Sequence, residues 1–168
     1  MTGSESAVTD KSGQWVVFAL GKEEYGVSAV QVQEISLLSN ITIVPGMPKF
    51  IRGVINLRGK IVPILDFKER FQLAGEPVSA SQQRIVVCFL GEYLVGIIVD
   101  SVAGVMRLPA GSIEPIPPTL PKIDADYLLG VGKLDSRLIV LLNLACILTD
   151  FEKGMLRDMS LKNGGPDS

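Results

Sequence analysis

Among the side chains able to do acid–base chemistry, Asp66, Glu92, Asp100 and Glu114 are the candidates, and each has a plainer explanation. A carboxylate becomes a general acid or base when an apolar cleft or a charged partner shifts its proton affinity. Asp66 stands three residues before Glu69, which resembles a capping box with Asp in the cap position. Asp100, followed by Ser101, reads as a turn after a strand. The chain has no His. The commonest general base, the commonest zinc ligand and the neutral-pH switch are therefore missing together. No CxxC, HExxH, Gly-x-Ser-x-Gly, Walker A or Gly-x-Gly-x-x-Gly pattern occurs. Cys88 and Cys146 lie far apart in apolar runs and are expected as buried core residues in a reducing, intracellular setting. The residues predict no catalysis, no metal site and no cofactor.

Arg58 offers binding chemistry instead. It lies in Gly53 to Phe67, Gly-Val-Ile-Asn-Leu-Arg-Gly-Lys-Ile-Val-Pro-Ile-Leu-Asp-Phe, two apolar runs around a polar turn. A hairpin tip would expose its guanidinium, a rigid fork of five donors suited to carboxylates. Gly59 is expected to supply a positive φ for a type II turn or a bulged hairpin. Pro63 donates no backbone hydrogen bond, so its N–H side should face an edge or a bulge. Glu34 lies in an alternating stretch, Val30 to Ile35, that reads as a half-buried strand. Val32, Ile35, Val102 and Val105 are apolar positions that serve either a core or an interface.

The elements that must position these residues occur twice. Gly130 to Leu144 echoes Gly53 at an offset of 77 residues (53 to 130), with Asp135 and Arg137 where the first copy has Arg58 and Lys60. Val86 to Gly91 with Gly96 echoes Val16 to Gly21 with Gly26 at an offset of 70 (16 to 86). The chain is thus a tandem duplication in which each half opens with a Gly-turn hairpin and closes with a hairpin and a short helix. The extra seven residues of the second copy are expected in the Pro-rich loop, Pro109 to Pro121. Ile41 to Val44 is expected as a short strand, Pro48 to Arg52 as a turn or short helix, and Gln72 to Gln83 as a linker. Residues 1–13 and 162–168 are expected as disordered tails without a signal peptide. A single unit over 14–161 is expected, made of two intertwined subdomains (about 14–80 and 81–150) and a C-terminal helix in Leu144 to Leu161. Many short strands separated by turns predict a mainly all-β fold of two small barrels, marginal alone and packed on each other.

Bulk properties narrow the function classes. The net charge is −2 and aromatics are 6% of residues. Phosphate-backbone binding and base stacking therefore lack their usual residues, and a nucleic-acid binder is disfavoured. No apolar run approaches the length of a membrane-spanning helix. A protein-binding module is the leading reading, and a small-ligand-binding barrel is the alternative.

Asn56-Leu57-Arg58-Gly59-Lys60-Ile61-Val62-Pro63-Ile64-Leu65-Asp66 resembles the signature of the CheW family of bacterial chemotaxis adaptors. Glu24-Tyr25-Gly26-Val27, Val32-Gln33-Glu34-Ile35, Phe50-Ile51-Arg52-Gly53-Val54, Val95-Gly96-Ile97-Ile98-Val99-Asp100 and Tyr127-Leu128-Leu129-Gly130 carry the resemblance over about Gln14 to Asp150. It implies two SH3-like five-stranded β-barrel subdomains and a non-enzymatic scaffold that couples chemoreceptors to the histidine kinase CheA. It also implies a cytoplasmic protein, recruited to receptor arrays through its partners and monomeric in isolation. Carried over residue by residue, Glu34 and Arg58 become polar receptor contacts, and Val32, Ile35, Val102 and Val105 apolar walls of the receptor groove. The loop carrying Ile113, Glu114, Ile116 and Thr119 lies where the family has a segment facing the kinase regulatory domain. Some relatives have an aromatic where this chain has Thr119. An adaptor of a related, non-chemotaxis kinase pathway would carry the same residues.

Overall fold

A computed structural model of the chain describes residues 13–38, 40–73, 79, 81–116, 125–148, 152–155 and 157. Residues 1–12 of the first expected tail, all of the second, Thr119 and parts of the Gln72 to Gln83 linker and of the Pro-rich loop lie outside these residues, while Gly13 lies within them and its carbonyl accepts from the Leu108 N–H at 2.8 Å.

The first hairpin joins β1 (Gln14–Leu20) to β2 (Glu23–Ser28) through Gly21, which has a φ of 64°. Ser28 then caps a single 3-10 turn by accepting from the Val30 N–H at 3.3 Å. Strand β3 (Val32–Leu37) follows. Ile41 to Val44, expected as a strand, contributes only the isolated bridge Thr42↔Val54. Pro45 and Gly46 cut the segment short, and proline cannot donate to a ladder. Strands β4 (Ile51–Leu57) and β5 (Lys60–Leu65) form the second hairpin, followed by α1 (Phe67–Phe71). Asp66 caps α1, accepting from the Glu69 N–H at 3.2 Å. Pro63 lies on an inner strand, but the β5 pairing with its parallel neighbour covers only Ile64 and Leu65. The proline therefore sits just before that ladder begins.

The second half repeats this order with β6 (Arg84–Leu90), β7 (Tyr93–Val99), β8 (Ser101–Arg107), β9 (Ile113–Glu114), β10 (Leu128–Leu134), β11 (Arg137–Leu142) and α2 (Leu144–Ile147). The expected C-terminal helix is interrupted: α2 stops at Leu148 in an extended conformation, and helical structure returns at 152–155 and 157.

The strands form two sheets, β8-β1-β2-β11-β10-β9 and β3-β6-β7-β5-β4. Each draws strands from both halves of the sequence, so the halves exchange their first hairpins. The sheets are open ladders among the described residues. One has six strands because β9 adds an edge. That strand is the counterpart of the Thr42 bridge, since Glu114 pairs with Val131 as Thr42 pairs with Val54.

Burial follows the same duplication. Ile55, Val62, Ile64, Ile85 and Val87 fill one sheet's own core. Val17, Leu108, Ile139 and Leu141 fill the other's. Between the sheets lies the largest cluster, with Phe18, Leu20, Val27, Phe67, Val86, Cys88, Ile97 and Leu142. Burying so many aliphatic groups, each worth roughly 1.5–3 kcal/mol, makes this layer the main bond between halves too small to stand alone.

Candidate functional site

The tip of the β4–β5 hairpin is built from three adjacent decisions in sequence. Asn56 turns its side chain back, and its Oδ1 accepts from the Gly59 N–H at 2.8 Å. Gly59 has a φ of 86°, and Arg58 also has a positive φ, 51°. Two successive positive φ values are the pattern of a type I′ turn, which favours Asn-Gly or Asp-Gly. The expectation, a type II turn or a bulged hairpin, placed the positive φ on Gly59 alone. Arginine in the left-handed region carries a steric cost that Asn or Gly would avoid.

The guanidinium so presented grips Glu34 on β3. Arg58 Nη1 donates to Glu34 Oε2 at 3.3 Å, and Nη2 donates to Oε1. The fork bridges the two edge strands of one sheet, β3 and β4, at their surface. The hydrogen bond from Arg58 holds the Glu34 carboxyl below the ordinary glutamate value. Arg58 is held correspondingly more basic by Glu34. Its side chain nevertheless remains 66% exposed, which leaves the fork open to a partner.

Fold symmetry tests whether the scaffold needs this pair. The counterpart of Arg58 is Asp135, also with positive φ at 56°. The counterpart of Glu34 is Gly104, since both follow a bulge at equivalent places in β3 and β8. No ion pair forms between Gly104 and Asp135, yet that half folds alike. The second half uses its charges elsewhere: Arg137 donates to both oxygens of Glu24, at 2.9 and 2.7 Å.

The apolar candidates divide into two kinds. Val32 is 9% exposed and belongs to the core between the sheets, and Val102, its counterpart, packs partly against the same core. Ile35 and Val105 are 39% and 58% exposed, and they lie on β3 and β8, which are edge strands of the two sheets. Among the candidates in the Pro-rich loop, Ile113 packs against one sheet's own core and Ile116 against the core between sheets. Glu114 is ion-paired with Lys133 at 2.9 Å.

Two residues have roles that local sequence did not reveal. Asp100 stands at the bend between β7 and β8, as expected, and is in addition buried, at 4% exposure. Its carboxylate accepts from the Gly21 N–H at 2.8 Å and from Lys68 Nζ at 3.3 Å. It thereby ties the first turn and α1 to the second half. Arg70 on α1 donates to the Ile147 carbonyl at 3.0 Å and to Glu152 at 3.2 Å. Its guanidinium also faces the rings of Phe50 and Tyr127, at 5.2 and 5.9 Å from their centroids. Those rings are counterparts in the two halves, and a cation shared between them joins the halves. The periodic signal was silent on both because their partners are distant in sequence.

Of the two thiols, Cys88 is buried, and burial pushes its pKa up to about 12. Cys146 is exposed, contrary to expectation. On α2 the residues turned inward are Leu144 and Ile147, so helical spacing turns Cys146 outward. Among the described residues no group of His, Cys, Asp or Glu could hold a metal ion. No helix among them is long and apolar enough to cross a membrane.

Comparison with known proteins gives a consistent result. The family model described as "CheW-like domain" matches residues 14–152. "Chemotaxis protein CheW" of Klebsiella aerogenes is 36% identical over 148 residues, 88% of each chain. "Protein FrzA" of Myxococcus xanthus is 35% identical over 118 residues, 70% of this chain and 72% of that one. The crystal structure of the scaffolding protein TtCheW from Thermoanaerobacter tengcongensis matches with a TM-score of 0.75. It is 36% identical, and the match covers 82% of this chain and 88% of that one.

Proposed function

The chain belongs to the CheW-like family, and on that premise we propose that it couples chemoreceptor tips to the regulatory domain of the histidine kinase CheA. It is a chemotaxis adaptor, a scaffold by family. The partners and their places are our reading. The observation that carries it is the Arg58–Glu34 fork, present in one half of a duplicated fold and absent from the other. A feature the scaffold does not need, at a position with a conformational cost, points to selection for a partner.

In this reading Arg58 and Glu34 present a fixed pattern of donors and acceptors to the polar side of a receptor hairpin. Ile35 and Val105 supply apolar surface on the edge strands, while Val32 and Val102 act from beneath by fixing the strands that carry them. The segment with Ile113, Glu114, Ile116 and Thr119 faces the kinase. The protein works without catalysis, in the cytoplasm, monomeric until receptors and kinase gather it. Co-sedimentation of receptor-bearing membranes with kinase tests this. The kinase should pellet only when this protein is added. Kinase that pellets equally without it would refute the coupling role.

A further inference from the structure

A cleft of about 350 Å³ opens between the β6–β7 turn, at Gly91 and Tyr93, and the C-terminal helical residues Lys153, Gly154 and Arg157, with Ala145 of α2 in its wall. It is well separated in sequence from the fork at Arg58. Its volume suits a small organic molecule.

The duplication supplies a filled version of the same place. The turn at Gly91 is the counterpart of the turn at Gly21, and Ala145 is the counterpart of Lys68, at the offsets of 70 (21 to 91) and 77 (68 to 145) that relate the halves. In the first half the Gly21 N–H and the Lys68 ammonium both hold a carboxylate, that of Asp100. At the place formed by Gly91 and Ala145 the residue matching Asp100 is Val30, contributed by the first half, an exposed apolar side chain with no carboxylate to offer. The lysine is also gone, replaced by Ala145. Cations are present all the same: Lys153 and Arg157, one helical turn apart and so on one face, line the cleft. Among the described residues neither is ion-paired. In a chain of net charge −2, two cations with no ion-pair partner among the described residues at a concave site mark an affinity for an anion.

Gly154 points the same way. A Cβ there would meet nothing within 4 Å, so packing does not require glycine. Glycine inside a helix costs about 1 kcal/mol relative to alanine. Its presence on the wall leaves backbone open to close approach.

We propose that this cleft binds a small organic acid, with its carboxylate held by Lys153 and Arg157 and its apolar body against Tyr93 and Gly154. The ligand's carboxylate takes the part that Asp100 plays in the other half. A ligand bridging the β6–β7 turn and the C-terminal residues would also fasten that segment, which Arg70 already anchors through Glu152.

Titration of the full chain with benzoate, followed by amide NMR, tests the proposal. Saturable shifts are expected at Gly91, Tyr93 and Gly154, with none from benzamide, the neutral isostere. Lys153→Ala and Arg157→Ala should each weaken binding about tenfold, as loss of a charged hydrogen bond does. Gly154→Leu should fill the cleft and abolish binding while the melting temperature holds. Benzamide binding as well as benzoate, unchanged binding by the Arg157→Ala variant, or the lack of any saturable shift at the cleft would overturn it. Binding of phenyl phosphate but not benzoate would overturn the assignment to a carboxylate.

Discussion

Arg58 and Glu34 lie 24 residues apart in sequence and meet as a two-pronged fork, Nη1 donating to Oε2 and Nη2 to Oε1. The fork stands on a hairpin whose first turn residue would be more comfortable as asparagine. On the adaptor reading, stability and recognition therefore pull in opposite directions at Arg58.

Replacing that arginine separates the two. Arg58→Asn suits a positive φ better and removes only an exposed ion pair, which contributes little. The melting temperature should stay level or rise slightly in calorimetry, while affinity for a receptor-tip fragment falls. A clear drop in melting temperature would mean that the fork is part of the scaffold.

Gly53 is a backbone requirement. Its φ is 146°, and a Cβ would sit 2.2 Å from the Thr42 carbonyl oxygen and 2.8 Å from Ile41. Gly53→Ala should cost about 3 kcal/mol or more in urea denaturation, by strain and by loss of the Thr42 bridge. Its counterpart Gly130 has a φ of 157° and a nearest contact of 2.9 Å, to Glu114. Gly130→Ala should cost less, and the reverse order would contradict the account.

The buried carboxylate of Asp100 gives a third test. Asp100→Ala strands both the Gly21 N–H and the Lys68 ammonium, and should destabilise by roughly 2–3 kcal/mol. Asp100→Asn keeps an acceptor for Gly21 and should cost less. Equal losses in denaturant titrations would show that the Gly21 contact contributes nothing.

The duplication and its mainly-β consequence were legible because self-similarity needs no knowledge of distance. Turn glycines and the Asp66 cap followed from short-range rules. What escaped those rules was set by contacts across the sheets. The positive φ at Arg58 was hidden behind Gly59, which alone seemed enough to make the turn. Burial of Asp100 depended on Gly21, 79 residues away, and which hairpins the intertwined halves exchange depended on β1 pairing with β8. The charges of Glu34 and Arg58 were each visible, but their meeting was not. Ile41 to Val44 has strand composition and yet only one bridge, because Pro45 ends the segment before a ladder can form.

Acid should reveal the Glu24–Arg137 pair. Hydrogen bonding to Arg137 holds the Glu24 carboxyl below the ordinary value of 4.5. A depressed carboxylate contributes stability above its unfolded value and loses it as pH falls through the lowered, folded value. Melting temperature should therefore decline on the acid side below that ordinary value, and Glu24→Gln should make the decline shallower. An identical acid profile for the variant would remove the pair from the account.

The most direct test of the adaptor reading is the affinity of a receptor hairpin fragment for wild-type protein and for Arg58→Glu, with affinity for the CheA regulatory domain measured in parallel. The account predicts an unchanged melting temperature, unchanged kinase-domain binding and receptor binding weakened by about tenfold or more, the scale of a lost charged contact. Unchanged receptor binding by the folded variant would contradict it.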